Sequence, residues 1–320
     1  MRGLLLAALL LHAACAAAQA YPARAVRMLV GFPPGGGTDI NARILAPKLA
    51  ELLGQQFVVE NRPGATTGIA SDLVARAAPD GYTLLFTTSA LAINMSLYRN
   101  LTYDALRDFA PLSVFAESPN LLVAPASVAK DVGELLALAR AKPGALNYSS
   151  AGAGTSQHLA GELFKVRTGI NIVHIPYKGT AASLTAVIAN EVQASFANVP
   201  AILGHVRNGR LRALAVAGAR RTDLMPEVPT LREAGVQGVE VPVWYALLAP
   251  AATPRDIVQS LGAAVARAAR AADVRQKLQE QGADPARQHA RGIRCAAQGR
   301  GAALGRGGEA LRRQSGLIGL

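Results

Sequence analysis

Hydrophobic positions along the chain follow two spacings, one typical of buried strands and the other of amphipathic helices. Residues 26–30 carry apolar side chains at alternate positions and predict a short strand. From Asp39 onward, apolar side chains recur every three or four residues and predict a helix that continues to about Leu53. Further strands are predicted at 57–61, 82–89, 121–125, 146–152, 171–177, 192–199, 211–218 and 239–250, and further helices at 67–77, 131–141, 155–168, 180–190 and 254–280.

This alternation of strands and helices predicts an α/β protein with mostly parallel sheets. Residues 21–284 form a stretch of 264 residues, which is longer than a typical single domain. We therefore expect two lobes, each with its own hydrophobic core. No repeat and no low-complexity linker marks a boundary between them.

The first 20 residues have the features of a secretory signal peptide. Residues 1–20 contain one arginine, an apolar run and the small residues that precede a cleavage site. We expect cleavage after Ala20. Residues around Cys15 also resemble a lipoprotein signal, but His12 stands where an aliphatic residue is preferred, so lipidation ranks second. No later segment is long and apolar enough to span a bilayer.

The formal net charge of +12 is concentrated near the carboxyl terminus. Residues 285–320 hold seven arginines and one acidic residue, and Arg2 lies in the signal peptide. Residues 21–284 keep a charge of +5 without a basic run and with few aromatic residues. This composition argues against a nucleic-acid partner. A mild positive charge suits an anionic ligand.

A glycine-rich loop connects the first strand to the first helix. Within residues 32–39, Gly35, Gly36 and Gly37 leave the backbone amides bare, and Thr38 or Asp39 can cap the helix start. Free N–H groups at a helix start bind anions. The loop lacks the Gly-Lys-Ser/Thr ending of a phosphate loop and the spacing of a dinucleotide fingerprint. It indicates an anion or carbonyl site, with an ordinary glycine turn as the alternative.

A second loop has the same design. Residues 147–164 again pass from a strand through glycines to a helix, with hydroxyl side chains near Gly152 and Gly154. Loops at the carboxyl ends of strands are where ligands collect in open α/β sheets. Two such loops, in different lobes, predict the opposed sides of a ligand cleft.

Seven motifs occur in an order that resembles the Bug family, the periplasmic solute receptors of tripartite tricarboxylate transporters. The motifs are FPPGGGTDINAR, VVENRPGA, APDGYTLLF, HIPYKG, LRALAVAGARR, MPEVPTLREAG and VWYALLAPAATP. The resemblance implies a two-lobed fold of the type II periplasmic-binding-protein kind, closing on a small carboxylate solute. The first lobe would hold 21–120 and 230–284, and the second lobe 121–229. It further implies a periplasmic monomer that serves membrane transporter subunits, with no catalysis and no cofactor.

The resemblance also implies that the loop at 35–39 holds one carboxylate and that the loop at 149–156 holds the other side of the solute. Asp39 would repel a carboxylate, so capping is its expected role. We expect Trp244 to pack in the protein interior and not to contact the ligand. His158, His174 and His205 lack the spacing of metal ligands, so no metal is expected. The expected ligand-binding residues are Phe32, Pro34, Gly36, Gly37, Thr38, Thr87, Ser89, Ser149, Ser150, Gly154, Thr155, Ser156, Tyr177, Phe196 and Asn198.

The family pattern breaks after Pro285. The resemblance implies a carboxyl-terminal helix that begins near Ser-Thr-Pro-Glu and contains a tryptophan, but residues 286–320 are rich in Arg and Gly with no aromatic residue. Read one base later, with permitted synonymous codons, the segment from Gln288 spells that helix. We therefore hypothesise a one-base insertion near codon 287. The tail at 285–320 is then aberrant and expected to be disordered, with Cys295 as a free thiol.

Two other functions stay open at this stage. A ligand sensor without a dedicated transporter would have the same cleft. A secreted hydrolase would need a nucleophile with a base, and Ser149 or Ser150 are the candidates. No Gly-x-Ser-x-Gly elbow surrounds either serine, which favours the receptor.

Overall fold

The computed structural model describes residues 21–286, which form two sheets with helices packed against them. The expected signal peptide and residues 287–320 of the tail expected to be disordered at 285–320 lie outside the described residues. The first two residues of that tail are ordered, because Pro285 pairs with Ala116 and Ala286 N–H donates to the Phe115 carbonyl at 3.1 Å. Within 21–286, no helix is long and apolar enough to cross a membrane. The strands are β1 (Val26–Val30), β2 (Phe57–Asn61), β3 (Thr83–Thr88), β4 (Phe109–Ser118), β5 (Asn120–Pro125), β6 (Asn147–Ser150), β7 (Val173–Pro176), β8 (Ala194–Asn198), β9 (Leu211–Ala217), β10 (Val243–Pro250) and β11 (Asp284–Pro285).

The helices alternate with the strands along most of the chain. A 3-10 turn at Ala65–Thr67 precedes the second helix. The long helical pattern at 254–280 is two helices, because the backbone of Ala271 is extended. The helices are α1 (Gly37–Leu53), α2 (Gly68–Ala75), α3 (Ala90–Leu97), α4 (Val132–Ala141), α5 (Ser156–Thr168), α6 (Thr180–Ile188), α7 (Val199–Arg207), α8 (Arg255–Arg270) and α9 (Ala272–Glu280).

Each sheet organises one lobe. The first lobe is the six-stranded sheet, in the order β11-β4-β10-β3-β1-β2, with its helices. The second lobe is the five-stranded sheet, in the order β7-β6-β8-β5-β9, with its helices. The two-lobed α/β fold expected from the sequence is confirmed. The sheets are mixed and not mostly parallel, because β10 runs antiparallel to β3 and β4, and β5 runs antiparallel to β8 and β9. β5 and β10 are the first strands after the two crossings between the lobes, and each runs opposite to its neighbours in the sheet.

The chain enters the second lobe at Pro119, between β4 and β5, and returns between β9 and β10. The segment 230–241 packs into the core of the second lobe through Leu231, Val239 and Val241. Leu231 N–H also donates to the Val216 carbonyl of β9 at 2.9 Å. The sequence analysis expected the first lobe to resume at 230, and we propose instead that it resumes after Val241.

Two hydrogen bonds hold the chain near the crossings: one joins the two crossing segments, and the other joins Ser118 to Gly282 within the first lobe. The buried Asn120 side chain donates to the Val241 carbonyl at 2.8 Å, and the Ser118 hydroxyl donates to the Gly282 carbonyl at 3.0 Å. Asn120 also donates to the Ser156 hydroxyl at 3.1 Å, at the start of α5. The hinge between the lobes is thereby linked directly to one wall of the cleft.

Candidate functional site

A narrow cleft separates the two lobes, with a cavity volume of about 50 Å³. A water molecule needs roughly 10–15 Å³ of such space, so the cleft has room for a few waters and the lobes lie close together. Residues from both lobes line it: Phe32, Pro33, Pro34, Gly36, Gly37, Thr38, Thr88, Ala151, Thr155, Ser156, Gln157, Lys178, Gly179, Thr180, Ala181, Asn198, Val243 and Tyr245.

The start of α1 forms the wall on the side of the first lobe. The first hydrogen bond of this helix runs from Ile40 N–H to the Gly36 carbonyl at 3.0 Å. The N–H groups of Gly37 and Thr38 precede that bond and have no partner within the helix. Gly36 is the N-cap residue and has no side chain to satisfy them. These amides are therefore available to an anion in the cleft.

Asp39 braces the loop that precedes α1. Its carboxylate accepts from Gly35 N–H at 3.0 Å, from the Asn61 side chain at 2.9 Å and from Arg43 at 3.0 Å. Burial opposes ionisation, but these hydrogen bonds lower the pKa of Asp39 below its usual value. Gly35 has a φ of 81°, which glycine adopts without strain. The sequence analysis expected Asp39 to cap the helix. Asp39 is instead the third helical residue, and its side chain reaches back to the loop.

The start of α5 forms one wall on the side of the second lobe. Thr155 is the N-cap residue, and its hydroxyl accepts from His158 N–H at 3.3 Å. The first helical bond runs from Leu159 N–H to the Thr155 carbonyl at 3.1 Å. The N–H groups of Ser156 and Gln157 precede that bond and have no helical partner, and both residues line the cleft.

The start of α6 is a third wall, which the sequence analysis did not assign to the site. Gly179 is its N-cap residue, and the first helical bond runs from Ser183 N–H to the Gly179 carbonyl at 3.3 Å. The N–H groups of Thr180 and Ala181 are therefore free. The Gln157 side chain donates to the Thr180 hydroxyl at 3.2 Å and holds the starts of α5 and α6 together. The glycine before the predicted helix at 180–190 was the signal for this wall.

Asn198 and Tyr245 close the cleft from opposite lobes. The side-chain NH₂ group of Asn198 donates to the Tyr245 hydroxyl at 2.8 Å. The side-chain oxygen of Asn198, Oδ1, has no partner in residues 21–286. Burial raises the pKa of Tyr245, so its hydroxyl keeps a proton that it can donate to a ligand. Tyr245 was missed because the sequence analysis considered only its neighbour Trp244, and strand alternation turns these two side chains to opposite faces.

The structure brings about half of the expected ligand-binding residues to the cleft. These are Phe32, Pro34, Gly36, Gly37, Thr38, Thr155, Ser156 and Asn198. The structure places the other seven outside this lining: Thr87, Ser89, Ser149, Ser150, Gly154, Tyr177 and Phe196.

Thr87 and Ser89 lie on either side of the β3 residue that reaches the cleft. Thr88 lines the cleft, whereas Thr87 and Ser89 are buried and their hydroxyls face the interior. Because successive side chains of a strand point to opposite faces, Thr87 and Thr88 cannot both face the solute. The two expected residues therefore flank the residue that lines the cleft.

Ser149, Phe196 and Tyr177 serve packing in the second lobe. The Ser149 hydroxyl accepts from the Ser183 hydroxyl at 2.7 Å beneath α6. Phe196 is fully buried, and its ring contacts the ring of Phe164 edge-on at 5.9 Å. Tyr177 packs against a buried apolar cluster of the same lobe. Their positions at strand ends suggested the cleft, but none of the three lines it.

Ser150 and Gly154 belong to a histidine cluster beneath the second loop. The Ser150 hydroxyl lies 2.7 Å from His174 Nε2, and Gly154 N–H donates to His158 Nδ1 at 3.2 Å. The two imidazole rings stack with centroids 4.0 Å apart. Burial lowers the pKa of His158 to about 4 and that of His174 to about 3, so both rings are neutral at pH 7. The cluster supports the loop that carries Thr155 and does not itself reach the cleft.

Comparison with known proteins agrees with this geometry. The family model of the tripartite tricarboxylate transporter family receptor matches residues 41–305. This chain belongs to that family. The resemblance to the Bug receptors is thereby confirmed. The match passes Pro285, where the sequence analysis placed the break in the family pattern, so the sequence likeness extends further along the chain than expected.

Related proteins and solved structures similar to this chain match most of its length. BugT of Bordetella pertussis is 39% identical over 276 residues, which are 85% of this chain and 85% of BugT. An R. palustris protein solved with adipate is 36% identical, with a TM-score of 0.87, over 91% of this chain and 98% of that one. MatC from Rhodopseudomonas palustris, solved with bound malate, is 32% identical, with a TM-score of 0.83, over 91% of this chain and all of that one.

Proposed function

We propose that this receptor binds a small carboxylate-bearing solute in the cleft between its lobes and passes it to a tripartite transporter. The observation that carries this proposal is the convergence of three helix starts on one cleft. The unpaired N–H groups come from Gly37 and Thr38, from Ser156 and from Thr180. Both lobes contribute, so a bound anion is held only when the lobes are together.

Backbone hydrogen bonds supply most of the expected affinity. A hydrogen bond to a charged group is worth about 1.5–3 kcal/mol, whereas a helix dipole adds about 0.3–1 kcal/mol. Micromolar binding requires about 8 kcal/mol in total. Four to six amide bonds meet that requirement, and the three dipoles assist. The Tyr245 hydroxyl adds one further donor at the end of the cleft.

The proposed contacts follow the lining of the cleft. Amides of the helix starts would bind the carboxylate oxygens, and Phe32, Val243 and the prolines would pack against the carbon chain. Two related receptors were solved with adipate and with malate, and both molecules are dicarboxylates of few carbon atoms. A ligand of that chemistry suits a narrow cleft with apolar walls and amide-rich ends.

We further propose a periplasmic location and action as a monomer, with the transporter's membrane subunits as partners. A ligand sensor without a transporter would use the same cleft, and the family assignment favours transport. One observation favours the hydrolase alternative: the Ser150 hydroxyl lies 2.7 Å from His174 Nε2. Ser150 is fully buried away from the cleft, however, and the lowered pKa of His174 makes it a weak base.

A thermal-shift screen of the purified full chain tests the proposal. Mono-, di- and tricarboxylates at about 100 times their dissociation constant should stabilise the protein by roughly 2.7 kcal/mol. Esters of the same acids should give neither a shift nor turnover. Stabilisation by none of the acids, or hydrolysis of the esters, would contradict the proposed function.

A further inference from the structure

We propose that a second cavity, behind the segments that connect the lobes, limits how far the lobes open. We call it the hinge cavity; residues 117–119, 218–224, 240, 242, 279 and 282–284 line it, and its volume is about 710 Å³. Its walls approach each other as the cleft widens, and their contact stops the opening. The affinity measurement in the test rests on the proposed function, whereas the measurement of lobe opening does not.

The first support is that the two lobes face each other across the hinge cavity. Ala219 belongs to the second lobe, in the loop after β9, and Gln279 belongs to the first lobe, in α9. Both residues line the cavity and are exposed. A side chain on either wall therefore meets the opposite lobe when the cavity narrows.

The second support is the position of the connecting segments between the cleft and the hinge cavity. In one crossing, Pro242 lines the hinge cavity and the next residue, Val243, lines the cleft. In the other crossing, Pro119 lines the hinge cavity, and the next residue, Asn120, donates at 3.1 Å to Ser156, which lines the cleft. Both segments thus run between the two spaces. A hinge rotation about them widens one space and narrows the other.

The third support is the contrast between the two volumes. The cleft holds about 50 Å³ and the hinge cavity about 710 Å³, which is the combination that this rotation gives when the lobes are together. Next to the connecting segments the lobes already touch, since a Cβ on Gly282 would overlap Val199 of the second lobe. The remaining room for rotation on this side is therefore the hinge cavity.

Tryptophan substitutions that fill the hinge cavity test the inference. A219W adds an indole from the wall of the second lobe, and Q279W adds one from the wall of the first lobe. The open state has the narrower cavity, so a large side chain destabilises the open state more than the closed state. A141W is the control, because Ala141 is exposed at the end of α4 and lines neither the cleft nor the hinge cavity.

Small-angle X-ray scattering of the full chain measures the opening, and calorimetry with adipate and malate measures the affinity. Without ligand, we expect the radius of gyration of A219W and of Q279W to lie below that of the wild type, and that of the double variant to be the smallest. The affinity should rise at least about threefold, because only the closed fraction of the protein holds the acid. A141W should match the wild type in both measurements.

The outcomes separate this inference from the proposed function. If neither acid binds but other carboxylates do, the one that binds best replaces them; if no carboxylate binds, the proposed function is wrong, and the radii of the ligand-free proteins still decide the inference. Radii that stay equal or increase in both cavity variants, while urea denaturation shows that the variants are folded, overturn the inference. An equal change in A141W, or a ligand-free wild type already as compact as its complex, also overturns it.

Discussion

The Asn198 side-chain amide lies 2.8 Å from the Tyr245 hydroxyl and donates to it across the cleft. Asn198 ends β8 in the second lobe, and Tyr245 belongs to β10 in the first lobe. The bond therefore exists only when the lobes are together. A ligand shifts such an equilibrium only through a difference in affinity between the two states. Substitutions on this contact should change ligand binding more than they change the stability of the separate lobes.

The variant Y245F removes a hydroxyl that joins the lobes and can donate to the ligand. We expect ligand binding to weaken about tenfold, since one hydrogen bond to a charged group is lost. The melting temperature of the ligand-free protein should change little. Calorimetry and thermal denaturation measure the two effects. The control Y103F alters another buried tyrosine of the first lobe outside the cleft, and its affinity should match the wild type. Equal losses in both variants would contradict the assigned role.

The variant G37A should prevent the lobes from closing. A Cβ on Gly37 would overlap the Asn198 amide nitrogen and approach the Tyr245 hydroxyl. We expect at least a hundredfold loss of affinity with unchanged stability of the ligand-free protein, because alanine is favoured in helices. The control G204A adds the same methyl group in α7, where no atom lies within 4 Å. Tight binding by G37A would show that the two lobes do not meet at this point.

The variant D39N should destabilise the loop before α1. It removes the charge that holds Arg43 and weakens the acceptor for Gly35 N–H. We expect the free energy of unfolding to fall by about 1–3 kcal/mol in urea denaturation. The control D72N breaks a similarly spaced pair with Arg76 on the surface of α2 and should cost less than about 0.5 kcal/mol. If D72N lowers the free energy of unfolding as much as D39N does, the hydrogen bonds of Asp39 have no special role in stabilising the loop.

Acid should destabilise the second lobe through His158 and His174. Their folded-state pKa values are about 4 and about 3, whereas an unfolded histidine has about 6.5. Between these values the unfolded chain binds more protons, so stability is complete above pH 6.5 and falls as the pH drops toward 4. His158 alone contributes at most about 3 kcal/mol to this loss.

Urea denaturation between pH 7 and pH 4 measures that loss. The control H205Q changes a histidine of α7 outside the cluster and should keep the profile of the wild type. NMR titration of the imidazole protons in the wild type reports the two pKa values directly. Values near 6.5 for both rings would contradict the prediction.

Sequence patterns predicted most regular elements because strands and amphipathic helices differ in period. The strand at 211–217 and the helix at 156–168 were placed within one residue at each end. The strand at 109–118 was missed, since it contains Pro111 and lies at no marked turn. The helix at 90–97 was missed because it is short and apolar on nearly all sides, which leaves no period to detect.

The candidate site was predictable where the backbone forms it. Gly36 and Gly37 line the cleft as expected, since every helix start leaves its first N–H groups without a helical partner. The direction of side chains was harder to predict from the sequence, because Thr87 and Thr88 differ only in which face of β3 they occupy. Tyr245 could not be found from local pattern, because its role depends on Asn198, which lies 47 residues earlier in the other lobe.

Recognition by the starts of α1, α5 and α6 has an evolutionary consequence. A peptide nitrogen is present whatever side chain the residue carries, and among natural amino acids only proline removes its hydrogen. Point mutations can therefore reshape the walls at Phe32 or Val243 while the anion-holding groups persist. Receptors that descend from one ancestor can therefore acquire new ligands before they lose affinity for the ancestral one.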